Sequence, residues 1–279
     1  MHIHIVLGDI TKQKDVEAIV NAAKPSLLGG GGVDGAIHRA AGPNLLEECK
    51  TLGGCETGEA KLTKGYKLPC KFVIHTVGPI YKDGQHHEPE LLKLAYENSL
   101  KLAAEHLIQS VAFPCISTGI YGYPIEEATR IAIKTVVDFQ KNSKNSFDFV
   151  RFVVFSESDL KTYQEVIAEY TLTKNKKVSL IKELFEKPGD VKDYSDLLEN
   201  LDDMKTNYGD YMITEPINCD LELERIDGAD YELATALLTM LLREDYWING
   251  VFERRQKDGH VQKILQRMLE TLEGTEVLS

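Results

Sequence analysis

Gly29-Gly30-Gly31-Gly32-Val33-Asp34-Gly35 is the stretch on which the reading of this chain turns. Glycine has no Cβ, so backbone N–H groups in such a loop can approach an anion closely, and a helix starting directly behind it adds the positive end of its dipole. A second loop, Ser117-Thr118-Gly119-Ile120-Tyr121-Gly122, follows a strand-like segment and precedes a helix-like one. Two such loops point to a diphosphate held from both sides, and so to a nucleotide-like ligand.

Around these loops, short β-branched runs at 3–7, 18–20, 72–77, 111–116 and 149–155 alternate with helical patterns at 35–49, 88–107, 125–139 and 159–170. The alternation predicts an α/β sheet covered on both faces. Within 125–139, Ala128, Ile131, Ala132, Thr135, Val136 and Phe139 recur at helical spacing and mark a stripe buried against that sheet. Open α/β sheets bind ligands beyond the carboxyl ends of their strands. Gly8-Asp9, the four-glycine loop and the Ser117 loop should meet there.

Near residues 173–177 the apolar residues thin out, and a domain boundary is expected, with domains at 1–174 and 178–279. The second domain reads as mainly helical, with candidates at 178–186, 190–204, 231–244 and 261–272 and breaks at Pro188-Gly189 and Asn249-Gly250. Leu233, Ala236, Leu237, Met240 and Leu241 form a stripe that reads as plain core.

The chain has 279 residues and a formal net charge of −12. There are 18 basic against 21 acidic residues up to residue 170, and 14 against 23 beyond it, so the acidity lies mostly in the second part. That balance argues against an extended nucleic-acid surface, which needs clustered basic side chains. No apolar run reaches a membrane-spanning length and the start does not read as a signal peptide, so no membrane partner and a cytoplasmic location are expected. Five cysteines without regular spacing fit reduced thiols.

Five motifs occur in order: Gly8-Asp9-Ile10-Thr11, Ile19-Val20-Asn21-Ala22-Ala23, Gly29 to Gly35 continuing through Ala36-Ile37-His38-Arg39-Ala40-Ala41-Gly42-Pro43, His75-Thr76-Val77-Gly78-Pro79, and Ser117-Thr118-Gly119-Ile120-Tyr121-Gly122-Tyr123-Pro124. With them the first 170 residues resemble the macro domain family, in particular its bacterial O-acetyl-ADP-ribose deacetylase and mono-ADP-ribosyl hydrolase branch. The resemblance implies a three-layer α/β/α fold with a mixed central sheet, and a cleft for ADP-ribose or O-acetyl-ADP-ribose. It also implies metal-independent hydrolysis of esters on the distal ribose, with no cofactor and with mono-ADP-ribosylated proteins as partners. The part from Ala229 through Arg254 is similar to an uncharacterised bacterial domain, which brings no activity with it. Its Trp247 region is open to dimerisation, docking of a modified protein, cover over the cleft, or a merely solubilising role.

The resemblance assigns roles residue by residue. Asp9 and Ile10 follow the first strand, where Asp9 would accept from the adenine amine or else cap a turn. Phe155 would pack on adenine or else lie in the core. Gly30, Gly31, Gly32 and Val33 would face the distal ribose and one side of the diphosphate, while Ser117, Thr118, Gly119, Ile120 and Tyr121 would wrap the other side. Asn21 would hold the distal ribose. Asp34 would activate or orient a water, or cap a helix, or both. Position 24 departs from the family pattern: relatives carry a second asparagine where this chain has Lys24. That lysine could pair with Asp34 and weaken it as a base, contact the ribose or the acyl group, or point into solvent. The rival to an enzyme is a non-catalytic ADP-ribose reader or sensor.

Competing motifs are weak. Gly30-x-Gly32-x-x-Gly35 satisfies the dinucleotide fingerprint but does not directly follow a strand. Neither a Walker-type Gly-Lys-Ser/Thr loop nor a Gly-x-Ser-x-Gly elbow is present. Zinc-type Cys and His spacings are also missing, so no metal is expected.

Overall fold

Strands form where β-branched and aromatic residues cluster. The computed structural model describes residues 2–142 and 147–273. Its strands are β1 (His2–Leu7), β2 (Ala18–Ala22), β3 (Ala60–Lys64), β4 (Phe72–Thr76), β5 (Ser110–Phe113) and β6 (Phe149–Val154). They lie in the order β1-β6-β5-β2-β4-β3. All neighbours are parallel except β3, which runs antiparallel to β4 at the edge. β3 is absent from the sequence-based expectation, because Ala60-Lys61-Leu62-Thr63-Lys64 carries only one large apolar side chain.

The helices of this part are α1 (Gly32–Ala41), α2 (Pro43–Thr51), α3 (Glu88–Glu105), α4 (Ile125–Asn142) and α5 (Glu157–Glu186). The single helix expected at 35–49 is two. Gly42 adopts φ +83°, which an L side chain rarely tolerates, and Pro43 then opens α2 without needing an N–H donor.

The sheet buries both faces. On one, Ile19, Val73, Ala112 and Val153 pack with Ile37, Ala41, Leu45 and Cys49 from α1 and α2. On the other, Tyr96 of α3 and Tyr163 of α5 stack with Phe113 and Phe152 at ring separations of 5.2–6.1 Å. Each fully buried large apolar side chain contributes about 1.5–3 kcal/mol, and both layers are continuous.

The chain divides into two compact units between Glu169 and Tyr170. Residues 173–177, where a break was expected, lie inside α5. Loss of the apolar stripe there marks loss of core contact, not the end of a helix. The second unit adds α6 (Val191–Asn200), α7 (Cys219–Leu223), α8 (Tyr231–Trp247), α9 (Val251–Lys257) and α10 (His260–Glu273). Asp190 and Asp193 form a reciprocal capping box that starts α6. Leu237, Met240 and Leu241 of α8 lie in one core with Leu265 and Met268 of α10, and Leu233 packs against it. The α8 stripe is therefore core. Among the described residues no helix is long and apolar enough to cross a membrane.

Candidate functional site

The glycine loop feeds straight into α1, and close packing explains its composition. A Cβ on Gly35 would lie 2.4 Å from the Gly30 carbonyl oxygen, and one on Gly30 would lie 2.9 Å from Lys24 Cε and 3.0 Å from Asp34 Oδ2. Gly32 adopts φ +58°. The helix is capped by Gly31, so Asp34, in the first turn, is not its N-cap. Its carboxylate turns inward instead. Asp34 Oδ1 accepts from Asn21 Nδ2 at 2.8 Å and lies 3.5 Å from His38 Nε2. Asp34 Oδ2 is buried and has no hydrogen-bond partner.

Asn21 stands directly opposite His75 across the β2–β4 pair. Its Nδ2 lies 3.1 Å from His75 Nδ1, and His75 Nε2 lies 2.9 Å from Thr63 Oγ1 of β3. Burial, reinforced by His38, pushes the His75 imidazole down to about 3, so it is neutral at physiological pH. Asn21 Oδ1 is buried without a partner.

The Ser117 loop comes up opposite. Ser117 adopts φ +66° and is buried, and a Cβ on Gly78 would lie 2.2 Å from its Oγ. The turn is closed by Gly122 N–H donating to the Gly119 carbonyl (3.0 Å), Tyr123 N–H to that of Ser117 (3.0 Å) and Tyr81 N–H to that of Tyr121 (2.9 Å). The two loops approach each other: a Cβ on Gly31 would sit 3.8 Å from Ile120 Cδ1. The N–H groups of Gly30, Gly31, Gly32 and Val33, and those of Thr118, Gly119, Ile120 and Tyr121, meet no protein acceptor among the described residues. Free backbone donors in two neighbouring loops are what an anion requires.

Asp9 and Phe155 leave neighbouring strand ends, tied by Gly8 N–H donating to the Val154 carbonyl at 2.9 Å. Phe155 is 89% exposed, so it is not a core residue. The Asp9 side chain is 44% exposed rather than buried, and it caps a turn by accepting from Thr11 N–H (2.9 Å) and Thr11 Oγ1 (2.7 Å). Those bonds hold its carboxyl below the usual range. Ile10 is buried in the core.

Lys24 is exposed, its stem passes Gly30, and among the described residues it makes no ion pair with Asp34. Asp34 is hydrogen-bonded by Asn21 and lies near His38, to which sequence reasoning gave no role. Its signal was the spacing: four residues after Asp34 on a helix places it on the same face. His75 was visible only as part of a motif, and Thr63 not at all, because β3 was missed.

His38, Cys49 and His75 bring three potential metal-ligand atoms within 4.8 Å of one another. His75 Nε2 is engaged by Thr63 Oγ1 at 2.9 Å and burial pushes the Cys49 thiol up to about 11, so among the described residues the group is held by hydrogen bonding. Asp83, His86 and Glu88 form a second such group, but Glu88 is already held by the N–H groups of Lys82 and His86. A cavity of about 820 Å³ lies in the second unit, bordered by Ile217, Arg243, Trp247 and Ile248, and shares no residue with the glycine loops.

The macro domain profile matches residues 20–132, and a family of unknown function, DUF6508, matches residues 194–274. A macro domain-containing protein of Chlorobaculum tepidum is 60% identical over 166 residues, covering 60% of this chain and 95% of that protein. The ADP-ribose glycohydrolase MACROD2 of Xenopus laevis is 57% identical over 58% of this chain, which spans only 39% of that longer protein. Among solved structures, an Oceanobacillus iheyensis macrodomain with ADP matches at TM-score 0.57 and 47% identity, over 61% of this chain and 91% of that one. A Trypanosoma brucei macrodomain in complex with ADP-ribose matches at TM-score 0.56 and 46% identity, over 60% and 69%. By sequence, by fold and by the two glycine loops at its strand ends, the chain belongs to the macro domain family.

Proposed function

We propose that the first unit binds ADP-ribose and hydrolyses an ester on its distal ribose, releasing ADP-ribose from O-acetyl-ADP-ribose or from an acidic side chain. One observation carries this: a buried carboxylate, Asp34, has one oxygen fixed by Asn21 and the other unpartnered, at the start of α1 between two loops of free N–H donors. The loops suit a diphosphate, and exposed Phe155 suits an adenine face. Relatives described as ADP-ribose glycohydrolases and macrodomains solved with ADP or ADP-ribose support the same ligand.

In this reading Asp34 Oδ2 takes a proton from a water as its oxygen attacks the acyl carbon. The tetrahedral intermediate then collapses, the bond between the acyl carbon and the ribose oxygen breaks, Asp34 returns its proton to that oxygen, and the free carboxylic acid and ADP-ribose are released. A positioned general base contributes about 10²–10⁴-fold. Lys24 favours a second reading, a reader or sensor, because an asparagine of the family pattern is replaced beside Asp34.

Time courses of ADP-ribose release from O-acetyl-ADP-ribose and from a protein mono-ADP-ribosylated on glutamate, after chelator treatment, test the proposal, with calorimetric titration of ADP-ribose on the same sample. Release from either ester is the expected result. Binding without release selects the reader, and absence of binding rejects both.

A further inference from the structure

Asn21, His75 and Thr63 form a polar row across β2, β4 and β3, on the sheet face covered by α1 and α2. All three are buried, with Ile19, Val73, Ile37 and Leu45 in the same core. Polar groups in such a place cost free energy unless each is paired, so the pairing can be worked out atom by atom. A carboxylate only accepts, so Asn21 must turn its amide nitrogen to Asp34 Oδ1 at 2.8 Å. The second amide hydrogen then points to His75 Nδ1 at 3.1 Å, which must present a lone pair. A singly protonated imidazole therefore carries its hydrogen on Nε2, 2.9 Å from Thr63 Oγ1. The Thr63 hydroxyl donates onward to the Val73 carbonyl at 3.5 Å. Each hydrogen is used once, and two buried acceptors remain over, Asn21 Oδ1 and the Asp34 Oδ2 described above.

We propose that His75 is a positioning residue: in its Nε2–H tautomer, held by Thr63, it fixes the Asn21 carboxamide so that Asn21 donates to Asp34 and offers its oxygen to a ligand hydroxyl. The identity of that hydroxyl, on the distal ribose, rests on the proposed function; the tautomer does not. An imidazolium would turn a second donor on Asn21, flip the carboxamide and set its oxygen against Asp34. The titratable groups nearest His75 are Asp34 and His38 of α1, Cys49 of α2 with its sulfur 3.7 Å away, and Lys61 opposite on β3; the other charged residues of these elements are Arg39, Glu47, Glu48, Lys50 and Lys64. Lys61 Nζ donates to the Leu52 carbonyl at 2.7 Å.

The test has two arms on the full chain. Long-range ¹H–¹⁵N spectra of histidine-labelled protein, with His75 assigned by its loss in His75→Gln, should show the Nε2–H tautomer at pH 7 and no change at pH 5.5. An Nδ1–H tautomer or an imidazolium at pH 7 overturns the proposal. The second arm compares ADP, which lacks the distal ribose, with ADP-ribose. His75→Phe should keep ADP affinity within about twofold while ADP-ribose affinity and turnover each fall about tenfold, the scale of one lost hydrogen bond. His75→Gln, which can accept from Asn21 and donate to Thr63, should recover most of the loss. Should His75→Phe fail to fold, Thr63→Val carries this arm, with a smaller loss of the same selective kind. An unchanged ratio of ADP-ribose to ADP affinity in a folded variant overturns the proposal. Wild-type protein that binds ADP but gains nothing from the distal ribose counts against the proposed function, and the spectra then decide the tautomer alone.

Discussion

Asp34 and Lys24 both approach Gly30, and the proposed function turns on them. Asp34→Ala should lower turnover by about 10²-fold or more and ADP-ribose affinity by no more than about tenfold, because a general base acts on the water while the bound ligand feels Asp34 only through Asn21. Lys24→Asn should raise turnover if the lysine is the disabling change; a fall in kcat would make Lys24 part of the active arrangement. His75 gives a pH prediction. Its imidazole is held at about 3, below the ordinary histidine value of 6.5, so the unfolded chain binds the extra proton first. That contribution is intact above pH 6.5 and is lost progressively as pH falls toward 3. Between pH 7.5 and 5 the wild type should lose about 2 kcal/mol more than His75→Gln in urea unfolding; parallel losses would contradict a buried neutral imidazole. Asp34 and Asn21 were legible in the sequence because they sit in motifs. The Asn21–His75–Thr63 row was not, since its members are far apart in sequence and meet only through strand register.

The elements that build the site are governed by backbone approach. Gly35→Ala sets a Cβ 2.4 Å from the Gly30 carbonyl, where α1 packs onto the loop, whereas Gly119→Ala meets nothing within 4 Å. The first should cost about 1–3 kcal/mol, as overpacking does, and abolish ADP-ribose binding. Gly119→Ala should unfold at the wild-type temperature in a thermal melt, and equal melting of the two variants would contradict this account of the loop. The five parallel strands and the main helices were legible from alternation of β-branched runs with helical patterns. β3 was not, because an edge strand with one large apolar residue has no clear pattern. The split at Gly42 was hidden by a helical periodicity that continues through Leu45 and Cys49, and the continuity of α5 by a solvated stretch that resembles a linker.

At the scale of the molecule, charge works against the ligand. The chain carries a formal net charge of −12, and ADP-ribose brings a diphosphate, so long-range repulsion opposes the local grip of backbone donors. Raising salt screens that repulsion. ADP-ribose affinity should therefore hold or rise by about twofold between low and physiological ionic strength, and a steep fall would reveal a basic contact that the structure does not show. The composition showed that the second unit is acidic and helical, and its core formed as the α8 stripe indicated; its purpose was not written in any motif. The most direct test of the whole account is side-by-side hydrolysis of O-acetyl-ADP-ribose by wild type and Asp34→Ala, with ADP-ribose affinity measured on both. The account predicts release by the wild type alone and ADP-ribose affinities within about tenfold of each other. Equal release by both, or tight binding without release by the wild type, would contradict it.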